Sequence, residues 1–142
     1  MTTRKRKNHL IYQAHTKKAK KKVCEFCKFT ADQHQVIEIR RYFFLVKNIF
    51  PYDLWDGCGV INHLMVVPKR HVDTISHFSD EEQKEYLKLL GQYEKNGFSI
   101  YARSPGNAIK SVVHQHTHLI ELDNKAKRLV IFSKKPRFLV SK

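Results

Sequence analysis

The chain has 142 residues, 42% of them hydrophobic, which suits one folded domain and excludes a wholly disordered protein. Its formal net charge is +14, from 27 basic and 13 acidic residues. No apolar run reaches the about 18 residues of a transmembrane helix, and the basic N-terminus lacks an apolar signal-peptide core, so we expect a cytoplasmic protein with no membrane partner.

The first 22 residues hold much of this charge, because they carry nine lysines and arginines and no acidic residue. We expect residues 1–22 to form a basic, disordered arm and residues 23–142 to form the folded domain. The arm either acts as a solvated tail that aids solubility or binds nucleic acid and other polyanions non-specifically through their phosphates. It has few aromatic residues that could stack on bases, so sequence-specific recognition is not expected.

The cysteines exclude one class of protein and suggest a kind of site. Three are present, Cys24, Cys27 and Cys58, and an odd count argues against a secreted disulfide framework. The spacing of Cys24 and Cys27 in a cytoplasmic protein indicates metal binding or redox chemistry. A thioredoxin-like role is disfavoured, because no βαβ pattern surrounds the pair.

Periodicity and turn residues predict an α+β domain. A strand or hairpin is expected at residues 37–46, a loop at 47–59, and strands at 60–67, 98–103 and 112–122, followed by short strands at 129–132 and 138–140. The main helix is expected at residues 80–95, because Ser79 and Glu82 form a capping box and Asn96-Gly97 is a good stop signal.

The sequence Ser111-Val112-Val113-His114-Gln115-His116-Thr117-His118 places three histidines at alternating positions of the strand predicted at 112–122. Side chains alternate across a strand, so we expect His114, His116 and His118 to share one face. Three imidazoles on one face are a poor choice for a core, since each needs a hydrogen-bond partner when buried. The pattern therefore indicates a metal site, a nucleophile or proton-relay site, or a mixture of the two.

The segment His114-Gln115-His116-Thr117-His118-Leu119-Ile120 resembles the signature of the histidine triad (HIT) family. The resemblance extends to Asn48 at the end of an earlier strand, to the stretch from His63 through Pro68 to His71, and to Ser111. It implies the HIT-like α+β fold, an antiparallel sheet of about five strands with one main helix and short additional helical segments. Gln115 and Thr117 stand where the family usually has apolar residues, so we expect the back of this strand to be less deeply buried.

The resemblance also implies an activity, that of a HIT-type nucleotide hydrolase. His116 is at the position of the nucleophile, which attacks the α-phosphate of a nucleoside phosphoramidate, an adenylated amine or a dinucleoside polyphosphate. His118, His63 and Ser111 would complete the catalytic set. The residues expected to bind the purine nucleotide are Asn48, Phe44, His114 and Asn107.

A structural zinc ion is the implied cofactor. Cys24 and Cys27 supply half of a tetrahedral zinc site, and many bacterial family members complete it at the positions of His71 and His114. All four residues are present. The alternative is that Cys24 and Cys27 are reduced thiols without a metal.

Three functions remain in competition. The first is a nucleotide hydrolase or transferase acting through His116. The second is a zinc-stabilised module that binds nucleic acid or another polyanion through residues 1–22, with weak or no catalysis. The third is an intermediate in which the arm directs a nucleotidyl hydrolase to adenylated nucleic-acid ends. The resemblance further implies a homodimer.

Overall fold

The helices and strands below belong to a computed structural model that describes residues 4–18 and 24–127. This part has two α-helices, α1 (Arg6–Lys18) and α2 (Asp80–Lys95), and short 3-10 helices at Phe26–Lys28 and Ile75–His77. Its strands are β1 (Val36–Ile39), β2 (Phe43–Lys47), β3 (Leu54–Trp55), β4 (Cys58–Pro68), β5 (Phe98–Ala102) and β6 (Thr117–Leu122). The strands expected at residues 129–132 and 138–140 lie outside the described residues.

The strands form one antiparallel sheet in the order β1-β2-β4-β6-β5, with β3 paired to the start of β4. The sheet and the two helices confirm the predicted α+β fold. The pairing of β4 with β6 sets Met65 opposite His118 and Val66 opposite Thr117. Because side chains alternate along each strand, Met65 and His118 lie on one face of the sheet, and Val66 and Thr117 lie on the other.

Helix α2 covers the face that carries Val66 and Thr117. It has the predicted bounds, and the Ser79–Glu82 capping box is present with both reciprocal hydrogen bonds. Its buried face packs into the main hydrophobic core, made of residues from β2, β4, β6, α2 and the stretch between β4 and α2: Phe43, Leu45, Val66, Val72, Phe78, Tyr86, Leu89, Leu90 and Leu119. A smaller cluster forms around Val46, Met65 and Val67, where Phe26 and Phe29 pack against them.

The strand expected at residues 112–122 is shorter than predicted. Strand β6 begins only at Thr117, so His114 and His116 precede it rather than lying on it with His118. The backbone ahead of β6 makes a different bond, from Gln115 N–H to the Val72 carbonyl at 2.6 Å. The expectation of three histidines on one strand face is therefore wrong for the first two.

The expectation that Gln115 and Thr117 are less deeply buried is also wrong. Gln115 is 2% exposed and Thr117 is 1% exposed. Both polar side chains have partners: Gln115 Oε1 accepts from Lys110 Nζ at 3.1 Å, and Thr117 Oγ1 lies 2.6 Å from the Tyr86 hydroxyl of α2. These hydrogen bonds compensate the free-energy cost of burying the two polar groups, although the sequence alone suggested that they are exposed.

Residues Arg6–Lys18 form α1, whereas we expected them to be part of a disordered arm. Contacts with the loop after β2 hold this segment. Lys5 N–H donates to Asp53 Oδ2 at 2.5 Å, and the rings of Tyr12 and His15 lie 5.6 and 4.8 Å from that of Phe50. Within the described residues, no helix has the length and apolar character needed to cross a membrane.

Candidate active site

A cleft of about 960 Å³ opens on the sheet face that carries Met65 and His118. Several separate segments line it. His116 and His118 come from the triad, Phe26 and Phe29 from the segment around the first 3-10 helix, and further residues come from α1 and from the stretch 108–112, which includes Ser111.

The backbone sets the tautomer of His116. Its Nδ1 lies 2.8 Å from the carbonyl oxygen of His114, and a carbonyl only accepts hydrogen bonds. Nδ1 therefore carries the proton, and Nε2 keeps a lone pair. The ring is buried at 5% exposure but lines the cleft, so a neutral imidazole nitrogen with nucleophilic character is available there.

A second chain of contacts sets the tautomers of His63 and His118. The backbone N–H of Tyr52 donates to His63 Nδ1 at 3.1 Å, so the proton of the neutral His63 ring is on Nε2. His63 Nε2 then donates to His118 Nδ1 at 2.8 Å. This leaves the Nε2 proton of His118 as a hydrogen-bond donor on a ring that lines the cleft, 5.1 Å from the ring of His116.

Burial keeps these rings neutral near pH 7. It lowers the pKa of His63 to about 3 and that of His116 to about 4, and it holds the pKa of His118 well below its usual value. Positive charges nearby act in the same direction, those of Arg4 and Arg103 among them. The hydrogen bond from His116 to the His114 carbonyl opposes the shift of His116 but does not cancel it.

Asn48 belongs to the buried surroundings of His63. Its Nδ2 lies 3.1 Å from His63 Nε2, and its Oδ1 accepts from the Phe50 backbone N–H at 2.9 Å. Asn48 is 8% exposed and still contributes to the lining of the cleft.

Three of the four residues expected to bind nucleotide, Phe44, Asn107 and His114, do not line the cleft. His114 is fully buried, and its Nδ1 faces the sulfurs of Cys24 and Cys27. Phe44 packs at the small cluster around Val46, with its ring 6.0 Å from that of Phe29. The side chain of Asn107 stabilises its own turn, because its Oδ1 accepts from the Ile109 backbone N–H at 3.0 Å. All three positions were assigned by resemblance alone, and the contacts of each side chain give it another role.

Other residues of the cleft were missed by the sequence analysis. Phe26 lies with its ring 5.2 Å from that of His116, and Phe26 and Phe29 stack at 5.3 Å. Their positions, one residue before and two residues after Cys27, were a usable signal, since the cysteine pair was already placed beside the triad. Arg4 and Arg103 also line the cleft, and they come from segments with no recognisable motif.

The structure brings Cys24, Cys27, His71 and His114 into one cluster, with their ligand atoms within 4.8 Å of one another. The distances from Sγ to Nδ1 are 3.4 Å for Cys24 and His114, 3.5 Å for Cys27 and His114, and 3.1 Å for Cys27 and His71. Tetrahedral zinc, with bonds of about 2.3 Å to sulfur and about 2.1 Å to nitrogen, separates its ligands by roughly 3.3–3.8 Å.

The donor set also has the orientation that a metal requires. His114 Nε2 donates to the Pro68 carbonyl at 2.9 Å, which leaves the lone pair on Nδ1, the atom that faces the sulfurs. Desolvation, together with a hydrogen bond and the charge of Cys24, raises the pKa of the Cys27 thiol, so this thiol is protonated near pH 7 when no metal is bound. The four residues fit a divalent metal ion of the zinc type.

Comparisons with known proteins agree with the resemblance in sequence. No protein-family model matches the chain. A segment of 75 residues, 51% of the chain, is 33% identical to galactose-1-phosphate uridylyltransferase of Thermotoga maritima and covers 20% of that protein. A segment of 66 residues, 41% of the chain, is 29% identical to "Protein hit" of Bacillus subtilis and covers 46% of it. The matched segments thus span less than half of either relative.

Solved structures resemble the fold over a longer stretch. A member of the HIT family from Bacillus subtilis matches with a TM-score of 0.56 at 23% identity, over 72% of this chain and 74% of that one. A HIT family hydrolase from Clostridium thermocellum gives 0.53 at 18% identity, over 77% and 99%. A Plasmodium falciparum diadenosine triphosphate hydrolase gives 0.53 at 17% identity, over 75% and 73%. The chain therefore has the HIT-like α+β fold, which supports its resemblance to the histidine triad family.

Proposed function

We propose that the protein is a nucleotide hydrolase or transferase that acts at the α-phosphate of a nucleotide conjugate through His116. The observation that carries the proposal is the 2.8 Å hydrogen bond from His116 Nδ1 to the His114 carbonyl, because it leaves Nε2 with a lone pair at neutral pH. The HIT family hydrolases and the diadenosine triphosphate hydrolase that share the fold support this class of reaction.

In the first step, His116 Nε2 forms a bond to the α-phosphorus while the bond from phosphorus to the leaving group breaks. The leaving group departs with the bonding electrons and takes up a proton. His116 becomes cationic, and the His114 carbonyl stabilises its Nδ1–H. In the second step, water or another acceptor bonds to phosphorus and releases a proton, and the electrons of the broken P–N bond return to Nε2.

Other described residues assist these steps. The Nε2 proton of His118 is the donor for a phosphate oxygen, and His63 holds it there through the 2.8 Å contact with His118 Nδ1. Ser111 lines the cleft and is the candidate donor to the leaving group. Asn48 is the candidate partner of the ribose hydroxyls, and the stacked rings of Phe26 and Phe29 offer an apolar wall for the purine.

The experiment is a turnover assay with an adenosine phosphoramidate. Wild-type protein is expected to release adenosine monophosphate, and His116→Ala to lose at least about 1,000-fold in kcat, because the nucleophile is gone. His34→Ala is the matched control, since His34 is exposed and does not line the cleft. Trapping a protein-bound adenylate with wild type but not with His116→Ala would identify the intermediate. Equal turnover by wild type and His116→Ala would contradict the proposal.

We also propose that the cluster of Cys24, Cys27, His71 and His114 holds a structural zinc ion. Zinc bound there would join the segment before β1 to the end of β4 and to the triad. It would fix the backbone at His114, whose carbonyl oxygen sets the tautomer of His116. The ion has no place in the reaction itself.

Two further parts of the proposal concern partners. The basic residues 1–22 are proposed to bind nucleic acid without sequence preference, and α1 supports this because it contains basic but no acidic residues. A homodimer is proposed as well. Strand β5 lies at the end of the sheet, and Ile100 on it is 41% exposed, so this edge is a candidate interface that sedimentation analysis would test.

A further inference from the structure

Positive charge dominates the described lining of the cleft. Four lysines and arginines lie there, Arg4, Lys28, Arg103 and Lys110, against a single acidic residue, Glu25. Glu25 already has a partner, because its Oε1 lies 3.4 Å from His15 Nε2. The cleft therefore carries more positive charge than one α-phosphate neutralises.

Arg103 directly follows β5 and is 7% exposed. Its Nη1 donates to the Tyr101 hydroxyl at 3.1 Å, and among the described residues it forms no ion pair with a carboxylate. A guanidinium buried without a counter-ion is costly unless an anion binds to it. Its charge also contributes to lowering the pKa values of both His116 and His118, so it acts close to the reacting groups.

Arg4 brings a second guanidinium to the same cleft from the segment before α1. It lies 4.1 Å from the centre of the Tyr12 ring and 4.8 Å from that of Tyr52, and it donates twice to the Phe50 carbonyl, at 3.1 and 3.0 Å. Burial lowers its pKa, and the charge of Arg103 adds to this effect. Two positive charges thus line the same cleft, and an anion bound between them would stabilise this arrangement.

Lys110 is not equivalent to these arginines. Its Nζ donates to the Asp73 carbonyl at 3.0 Å and to Gln115 Oε1 at 3.1 Å, so its charge is tied to the loop that precedes β6. The two guanidinium groups are therefore the stronger candidates for recognising a ligand beyond the α-phosphate.

We propose that Arg4 and Arg103 form a second anion subsite that binds the phosphates beyond the α-phosphate, so that nucleotides with a polyphosphate linkage are the preferred substrate class. This inference rests on the proposed function of the same cleft. A phosphate leaving group departs with growing negative charge, which fixed guanidinium groups stabilise without giving up a proton. An amine leaving group gains nothing from them, so phosphoramidates and adenylated amines are expected to be the poorer substrates.

The test compares diadenosine triphosphate with adenosine phosphoramidate on wild type, Arg4→Gln, Arg103→Gln and the double variant. Each single change is expected to lower kcat/KM for diadenosine triphosphate about tenfold and the double change about 100-fold. The value for the phosphoramidate is expected to stay within about threefold. Arg41→Gln is the matched control, because Arg41 is exposed and does not line the cleft. Equal losses on both substrates, or no loss on either, would overturn the subsite.

A binding measurement separates failure of the subsite from failure of the proposed function. Inorganic tripolyphosphate is titrated calorimetrically into wild type and into His116→Ala, and both are expected to bind it at least about tenfold more tightly than the double arginine variant does. If the wild type binds tripolyphosphate in this way but turns over neither nucleotide substrate, the catalytic role of His116 is rejected and the subsite is retained. If the double variant fails to fold, the wild type decides the matter. The subsite would be rejected if the wild type bound tripolyphosphate no more tightly than single phosphate.

Discussion

At the scale of single residues, burial decides the protonation state of the imidazoles around the cleft. His63 is 4% exposed, and burial, followed by the charge of Arg4, lowers its pKa from 6.5 to about 3. The unfolded chain takes up a proton on this residue near pH 6.5, whereas the folded chain does so only near pH 3. The stability contributed by neutral His63 is therefore complete above about pH 6.5 and is lost progressively as the pH falls towards about 3.

We expect His63→Gln to weaken the dependence of stability on pH. Between about pH 6.5 and about pH 5, one such histidine costs the wild type about 2 kcal/mol of unfolding free energy, at about 1.4 kcal/mol per pH unit. Urea unfolding at several pH values measures this slope. His34→Gln is the control, because His34 is exposed and its removal is expected to leave the slope unchanged. The prediction fails if His63→Gln and wild type lose stability equally over this range.

At the scale of elements, the sequence predicted α2 well because its signals are local. Ser79 and Glu82 cap the start of the helix, and both hydrogen bonds of the capping box are present. Strand β6 was predicted less well, because the contacts that keep residues 114–116 out of it come from residues far away in the chain. The Val72 carbonyl accepts a hydrogen bond from the Gln115 backbone N–H, and the Pro68 carbonyl accepts one from the His114 ring. Neither contact can be predicted from the local sequence pattern.

The residues of the candidate site were likewise predicted only in part. His116, His118 and the four residues of the metal cluster were named from spacing and resemblance, and the fold brings each group together. Arg4 and Arg103 were missed, since a guanidinium becomes part of a cleft only through the path of the chain around it. Phe44 shows the converse, because its position in β2 was correct, but it packs in the smaller hydrophobic cluster and is not part of the cleft lining.

The metal cluster yields a prediction for the segment around Phe26–Lys28. This 3-10 helix buries none of its residues fully, so bound zinc would be a main source of its order. Elemental analysis is expected to find about one zinc per chain in wild type and none in Cys24→Ser/Cys27→Ser. With free zinc at about 1,000 times Kd, the ion would add about 4 kcal/mol to the unfolding free energy, measured with and without chelator.

Cys58→Ser is the matched control for that measurement, because Cys58 lies outside the cluster at the start of β4. It is expected to bind zinc as wild type does. A wild-type protein that contains no metal and unfolds at the same urea concentration with and without added zinc would reject the site and leave Cys24 and Cys27 as reduced thiols.

At the scale of the whole molecule, the net charge of +14 is unevenly spread. Neither hydrophobic cluster contains a residue from positions 4–18, so deletion of residues 1–22 is expected to leave the core of the sheet and α2 intact. The same deletion removes nine basic residues and, with them, most of the electrostatic attraction to a polyanion. Cooperative unfolding by circular dichroism measures the first expectation.

Binding to a single-stranded oligonucleotide measures the second and distinguishes a nucleic-acid-binding arm from a solvated tail. For the full chain, the logarithm of the binding constant should fall steeply with the logarithm of salt concentration, by about 0.7 for each phosphate contact. Deleting residues 1–22 is expected to flatten this slope by several contacts, whereas Lys84→Gln/Lys88→Gln, which removes exposed charges on α2, should change it little. His116→Ala should bind as wild type does, because phosphate contacts made by the arm do not involve the nucleophile. If the deletion leaves the slope unchanged, the folded domain binds the oligonucleotide, and the arm only aids solubility.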